Sequence, residues 1–396
     1  MKTLFIAVFL LIHTHLFSQD KEFVREYTYT AKEEDSKITS RAIALDQVKR
    51  ILLEEIGVYI YSEMQINKEE KNEVLSELTK QQIESITAGT TVTKITEEKW
   101  NGETYYIKAT VSVNPNEVYK NIARIAADHS MLKELEEVKR KNDEAALEIE
   151  RLRKKLTETK SEQEKINQQK EYKTATEVLT ASNLFRAGFQ AFDSHEYDKA
   201  IQLFQKAMEI NPNDPLLNNN LGSAYYKSGN YGKAIQYLEK AIEINPQYSM
   251  AFNNLGNVYS DKGNIDKAIE LYENAVDLNS ENYLAYYNLG LAYYNSGKKD
   301  KAIKYYKKTI KINPTYSEAY CNLGVIYYDK DDYDEAIEYF SKAIELNPNN
   351  REAYYNMGLA YGAEGKIDLR VSVFKKAANL GDRDAQQWLK NNGYSW

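Results

Sequence analysis

Hydrophobic positions along this chain follow three regimes. Between Phe23 and Ala31 the run Phe-Val-Arg-Glu-Tyr-Thr-Tyr-Thr, rich in β-branched and aromatic residues, predicts a strand. From Ile38 the apolar positions recur at three- or four-residue steps, through Ala42, Leu45, Val48, Leu52 and Ile56, which predicts a helix capped by Ser36 and stopped by Gly57. A second strand is read over Val58 to Ile66 and a short helix around Val74 to Ile83. Alternation then returns: Tyr105, Ile107, Ala109, Val111 and Val113 interleave with polar residues and face Val92 to Trp100 across Asn101-Gly102. That pair suits a type I′ turn. Asn114-Pro115-Asn116-Glu117 opens a further helix, with Asn114 as cap and Glu117 closing a capping box. Residues 19–120 thus read as a small α+β domain.

Residues 121–178 read as a helical linker. Between 131 and 156 a heptad places Leu135, Asn142, Ile149 and Leu156 at a and Met131, Val138, Ala145 and Leu152 at d. Glu134 would face Lys139, and Glu148 would face Arg153, across a parallel partner. A parallel homodimer through 131–156 follows from this pattern; a solvated helix held by internal Glu and Lys pairs is the alternative.

The third regime is a repeat. Gly188, Gly222, Gly256, Gly290, Gly324 and Gly358 stand 34 residues apart, and twelve positions after the first five come Ala200, Ala234, Ala268, Ala302 and Ala336. Glycine inside a helix costs about 1 kcal/mol relative to alanine, so both columns read as close-packing positions. The repeats run 181–214, 215–248, 249–282, 283–316, 317–350 and 351–384. In the third, Phe252, Leu255-Gly256, Tyr259, Ala268, Tyr272 and Ala275 resemble the tetratricopeptide repeat, with Ser280 where Pro212, Pro246, Pro314 and Pro348 stand elsewhere. The terminal repeats depart from it. The first has Ala187 and Ala191 for Leu and Tyr, while the sixth has Arg370 at the small position and Asp382 for proline, so a looser or shifted last helix is expected. Residues 383–396 read as a capping helix, Arg383 to Asn391, and a tail. The resemblance implies a multidomain chain: a small α+β head, a helical or coiled-coil linker, and an all-α right-handed tetratricopeptide solenoid over 179–384. The head resembles, in pattern only, domains of exported bacterial proteins of envelope and flagellar-assembly type, and carries no motif with a mechanism.

Composition narrows the function. The net charge of −7 offers no general attraction to nucleic acid or an anionic membrane. Lys2 followed by the apolar run Leu4 to Ile12 reads as a secretory signal cleaved after Ser18, implying export to a periplasm-type or extracellular space and no membrane span afterwards. After cleavage His129 and His195 are the only histidines, and Cys321 the only cysteine. No triad, metal cluster or phosphate-binding loop is written in the sequence, so no catalytic residue, cofactor or enzyme activity is expected. Cys321 reads as a small half-buried thiol.

Binding of a protein or peptide remains. Two positions before the packed glycines stand Asn220, Asn254, Asn288, Asn322 and Asn356, on nearly the opposite face of the same helix. This column resembles the asparagine ladder of O-linked N-acetylglucosamine transferases, whose amides hold a peptide backbone in the concave groove. An amide offers a donor and an acceptor, and at about 1 kcal/mol net per hydrogen bond five give micromolar to millimolar affinity. Tyr226, Tyr294 and Tyr328, at one equivalent position, are the candidate aromatic contacts, and Leu284, Leu291, Val325 and Leu359 leave the stripe mixed. Equally open from the sequence is that the asparagines bond neighbouring repeats and the tyrosines are ordinary packing residues. The alternative function is a structural envelope component in which the head docks and the repeats act as a spacer.

Overall fold

A computed structural model describes residues 21–31, 35–66, 93–113, 118, 129–159 and 161–396. The expected signal sequence, the short helix around 74–83 and the helix opening at Asn114 lie outside the described residues, apart from the helical Val118. The described chain is mostly helical with a small antiparallel sheet: β1 (Lys21–Thr30), α1 (Lys37–Ile66), β2 (Lys94–Trp100), β3 (Thr104–Val113), α2 (His129–Glu158) and α3 (Glu162–Asp193). Helix pairs follow: α4 (Tyr197–Ile210), α5 (Pro215–Lys227), α6 (Tyr231–Ile244), α7 (Ser249–Asp261), α8 (Ile265–Leu278), α9 (Tyr283–Asn295), α10 (Lys299–Ile312), α11 (Ser317–Tyr328), α12 (Tyr333–Leu346), α13 (Arg351–Ala363), α14 (Ile367–Asn379) and α15 (Arg383–Asn391). Two compact units result, 1–246 and 247–396.

In the first unit the sheet order is β1-β3-β2, with Phe23 opposite Val111 and Tyr29 opposite Tyr105. The alternation read in β3 is realised: Tyr105, Ile107, Ala109, Val111 and Val113 are all buried. The turn is shifted by one residue from the expected one. Asn101 and Thr104 close it, Asn101 N–H donating to the Thr104 carbonyl at 3.3 Å, so the central residues are Gly102 and Glu103. Gly102 alone has positive φ, +101°, which suits a type II′ turn rather than type I′. Asn101 instead accepts the Glu103 and Thr104 N–H groups on Oδ1, at 2.9 and 2.6 Å.

Ser36 caps α1, its Oγ accepting the Thr39 N–H at 3.1 Å. The helix does not stop at Gly57, and no strand forms over 58–66. Val48, Leu52, Ile56 and Ile60 make one fully buried stripe at four-residue spacing. Burying Ile60 contributes roughly 1.5–3 kcal/mol, more than the roughly 1 kcal/mol that a helical glycine costs. Tyr59, expected in the strand, packs its ring 5.7 Å from Phe23.

The segment read as a linker is packed into the same unit. Val138, Ala145, Ile149, Leu152 and Leu156 of the heptad are 0–6% exposed within the single chain. Asn142 donates to Asp46 on α1 at 2.7 Å, so its amide is used inside the chain. Arg153 lies 4.8 Å over the Tyr29 ring, and Glu148 pairs with Arg151 along the same helix. The expected dimer seam is therefore used within the chain. Tyr29 and Tyr172 both donate to Asp35, which ties β1 to α3. With no glycine or proline between 162 and 187, α3 runs unbroken from the linker segment into the first helix of repeat 1.

Each repeat is a helix pair built on one contact. A Cβ added at Gly188, Gly222, Gly256, Gly290, Gly324 or Gly358 would lie 2.3–2.7 Å from Phe204, Leu238, Tyr272, Tyr306, Phe340 or Phe374, the residue sixteen positions later. The alanine column is fully buried. The turn between paired helices needs a left-handed residue at 195, 229, 263, 297, 331 and 365, supplied by glycine in four repeats and by His195 (φ 61°) and Asp331 (φ 62°) in two. The second helices of the first five repeats end at an asparagine cap, with or without proline after it, and that of the sixth ends at Leu380. Asn279 caps α8 in the proline-free third repeat and accepts the Glu281 N–H at 3.1 Å. Arg370 does not loosen the last repeat. Its guanidinium lies 5.0 Å over Phe374 and 4.2 Å over Trp388, in space left by Gly362, and Phe374 is fully buried.

Candidate functional site

The asparagine column lies on the first helices, and its amides are largely engaged inside the protein. Asn288 Nδ2 donates to Asn253 Oδ1 at 2.9 Å and to Asn257 Oδ1 at 3.0 Å in the preceding repeat. Asn322 Nδ2 donates to the Tyr287 and Tyr306 hydroxyls, at 3.1 and 3.2 Å. Asn356 is hydrogen-bonded to Cys321. One contact of each asparagine shares a register: the residue two before a glycine meets the residue three before the previous glycine, 35 positions back in sequence. Asn254 is half-buried and has a partner in the chain. Asn220 is 9% exposed and donates to the Leu216 carbonyl of its own helix at 2.9 Å.

The chemistry of the column changes accordingly. Both amide hydrogens of Asn288 and Asn322 are used between repeats, so a ligand meets an acceptor, Oδ1, rather than a donor and acceptor pair. Among the described residues neither Oδ1 receives a hydrogen bond. The half-buried Val325 and the more exposed Leu291 each stand three residues after one of these asparagines.

The three tyrosines sit together at one place in the repeat, the end of the first helix. Tyr226 packs 6.0 Å from Tyr231, and Tyr328 packs 5.5 Å from Tyr333, each the first residue of the paired helix. Tyr294 donates to Asp329 of the next repeat at 3.0 Å. Sequence reasoning missed Asn253 and Tyr287, the receiving side of the register, which the 35-residue offset could have found, and Asn257, which lies 31 residues before Asn288 and outside that offset. Tyr287 lies 5.1 Å from Tyr316 and 5.6 Å from Tyr306, in an aromatic cluster that burial keeps un-ionised. Burial likewise pushes the Cys321 thiol up to about 12, which leaves it unreactive as a thiolate at neutral pH.

Repeat 1 places a different residue in the column. Arg186 is 8% exposed, 3.8 Å from Asp46 on α1, and donates to Asn183 Oδ1 at 2.7 Å. The head thus covers the column position of the first repeat. Loss of hydration, with Arg186 nearby, pushes the Lys49 ammonium of α1 down to about 7, although part of that side chain stays accessible. Among the described residues no group of three or more His, Cys, Asp or Glu is placed to hold a metal ion. No helix among them is long and apolar enough to cross a membrane.

Helix pairs of 34-residue period, each closed by a glycine on a buried side chain, define a tandem helical-repeat protein. Family models described as tetratricopeptide repeat match residues 191–257, 253–317, 317–350 and 339–370. The crystal structure of MamA is 32% identical, covering 42% of this chain and 97% of that one, with a TM-score of 0.38. The C-terminal part of a TPR repeat-containing protein from Cytophaga hutchinsonii is 28% identical over 50% of this chain and 78% of its own, with a TM-score of 0.41. YrrB, described as a TPR protein with an unusual peptide-binding site, is 24% identical over 48% of this chain and 97% of its own, with a TM-score of 0.40. No curated protein matches the chain. The chain belongs to the tetratricopeptide repeat family.

Proposed function

We propose that this chain is a non-enzymatic scaffold that holds an extended segment of a partner protein on the first-helix face of repeats 3 to 6. The observation that carries this reading is the pair of Oδ1 acceptors on Asn288 and Asn322, oriented by bonds to the preceding repeat and set beside Leu291 and Val325. Fixed acceptors one repeat apart suit the N–H groups of a peptide backbone, and the apolar neighbours add sequence-tolerant contact. Asn254, Asn356, Tyr294 and Tyr328 flank this pair along the array, while Asn220 and Tyr226 belong to the first unit. The apolar stretch Leu4 to Ile12 supports export to the periplasm or beyond, in association with the envelope. A second reading, a structural envelope component whose head docks while the repeats space it, is favoured by the burial of Arg186 and Asn220 in the first two repeats.

A photo-crosslinking amino acid at position 291 or 325, with one at Glu270 as control, separates the two readings in native envelopes. Defined protein crosslinks from 291 and 325 are expected. Crosslinks that arise equally from 270, or none from 291 and 325, would reject the binding face.

A further inference from the structure

The second helix of repeat 4 departs from its siblings mainly on its exposed side. Of its buried residues Ala302 and the aromatic Tyr306 keep the pattern, and the fully buried Thr309 stands where α8 and α12 have Ala275 and Ala343. Its exposed positions have changed sign: α10 carries six lysines against one aspartate. At the positions of Glu270, Glu273 and Asp277 in α8 it has Lys304, Lys307 and Lys311. In α12, two of those three positions hold Glu338 and Glu345. Because Thr309 is the one buried change among these and its hydroxyl donates to the Tyr305 carbonyl of its own helix at 3.0 Å, packing does not account for the reversed charges.

Most of these lysines have no carboxylate partner, and Lys307 donates to the Tyr327 hydroxyl at 3.2 Å. Lys299 lies 3.1 Å from Asp329, but none of Lys301, Lys304, Lys307, Lys308 and Lys311 lies within 4 Å of a carboxylate among the described residues. Two acidic side chains of α8 are engaged elsewhere: Tyr293 donates to Glu273 at 2.9 Å and Lys267 to Glu270 at 2.8 Å. The ammonium groups stand instead over tyrosine rings. Lys301 is 4.7 Å from Tyr293, Lys304 is 5.4 Å from Tyr305, and Lys308 is 5.5 Å from Tyr286. Tyr305 is itself stacked between Tyr293 and Tyr286, at 5.4 and 6.2 Å. Lys301, Lys304, Lys308 and Lys311 fall at helical spacing on one face, about 15 Å long at 1.5 Å per residue.

We propose that this face of α10 is a second docking surface, separate from the first-helix face, and that its occupant is a short acidic segment of a partner protein. Charge complementarity selects the sign of the ligand. The stripe matches about five residues of extended chain. The net charge of −7 over the whole chain disfavours a long polyanion or an anionic membrane, which would meet repulsion beyond the stripe. Lysines are point charges without the fork that grips phosphate in two places, and they suit dispersed carboxylates.

The test uses the full chain, a fluorescein-labelled hexaglutamate peptide and anisotropy at low ionic strength. Binding that weakens as salt is raised is expected. The variant Lys304→Glu/Lys307→Glu/Lys311→Asp, which copies α8, should lose about tenfold or more in affinity. Its melting temperature should hold or rise, because the pairs 301/304, 304/308 and 308/311 become attractive while 304/307 and 307/311 only exchange one like-charged pair for another. Should that variant melt lower, Lys301→Gln/Lys304→Gln/Lys308→Gln/Lys311→Gln is read in its place, with the same loss expected. Several results overturn the proposal: no salt-sensitive binding by the native chain, or equal binding by the variants. So do single-stranded DNA or phosphatidylglycerol vesicles held more tightly than the peptide, and a dimer in sedimentation that the charge swap dissociates.

Discussion

At the scale of single residues, the array is controlled by two columns, one where close packing leaves room only for glycine and one where the backbone is left-handed and glycine fits without strain. Gly256 faces Tyr272 so closely that a Cβ would stand 2.5 Å from its ring. The turn column makes the complementary demand on φ, and His195 and Asp331 meet it at a cost. Left-handed backbone costs a non-glycine residue roughly 1–2 kcal/mol, against roughly 0.5–1 kcal/mol for the extra freedom glycine loses on folding. His195→Gly should therefore stabilise the chain by about 0.5–1 kcal/mol, with Asp331→Gly smaller because aspartate tolerates that region better. Gly229→Ala should destabilise by about 1 kcal/mol. Urea titration measures all three, and a destabilised His195→Gly would contradict the strain assigned to that turn. The glycine columns were legible in the sequence because they recur at one spacing. That a histidine and an aspartate share the turn column was present in the same spacing, but becomes a statement about strain only with φ known.

At the scale of elements, the head and the helices after it show where a one-dimensional pattern stops being sufficient. The apolar stripe of α2 was readable, yet a stripe states only that a face must be covered. Asp46, Asn142 and Arg186 come from three helices and meet at a buried junction that no local spacing encodes. Lys49 shares this junction. Burial and Arg186, the two largest causes, outweigh the attraction of Asp46, with Arg41 a smaller opposing charge, and bring the ammonium to about 7 from the ordinary 10.5. Between those two values the unfolded chain holds more protons at this site than the folded chain, so its contribution to stability grows as pH rises from about 7 to 10.5. Lys49→Met should flatten that rise and add about 1–2 kcal/mol near neutral pH, since a poorly hydrated charge is exchanged for an apolar side chain. Urea unfolding of both chains across this range gives the comparison; parallel curves would remove Lys49 as the cause. The strand misread over 58–66 has the same origin. β-branched residues favour strands weakly, and burial of Ile56 and Ile60 against the sheet decided the matter.

At the scale of the molecule, Asn288, Asn322 and Asn356 of the asparagine column couple neighbouring repeats. In an array stabilised by nearest-neighbour interfaces, interfacial hydrogen bonds contribute to cooperativity as well as to stability. Asn288→Ala and Asn322→Ala each remove two bonds, and the second leaves the fully buried Tyr306 without that hydroxyl partner. A loss of about 2 kcal/mol per position is expected, with a broader thermal transition for the double variant in calorimetry. An unchanged transition would mean the column contributes nothing between repeats.

The sequence by itself determined the repeat: its period, the glycine and alanine packing columns and the asparagine column. It could do so because the defining contact joins residues sixteen apart, such as Gly256 and Tyr272, and is rewritten in each repeat. Tertiary structure alone decided which groups those asparagines hold and what covers the stripe of α2. Asn288 meets Asn253 across a repeat boundary, and Asn142 meets Asp46 across 96 residues. Hydrogen bonds of that reach depend on which faces come together, and a polar residue in the sequence carries no mark of its distant partner.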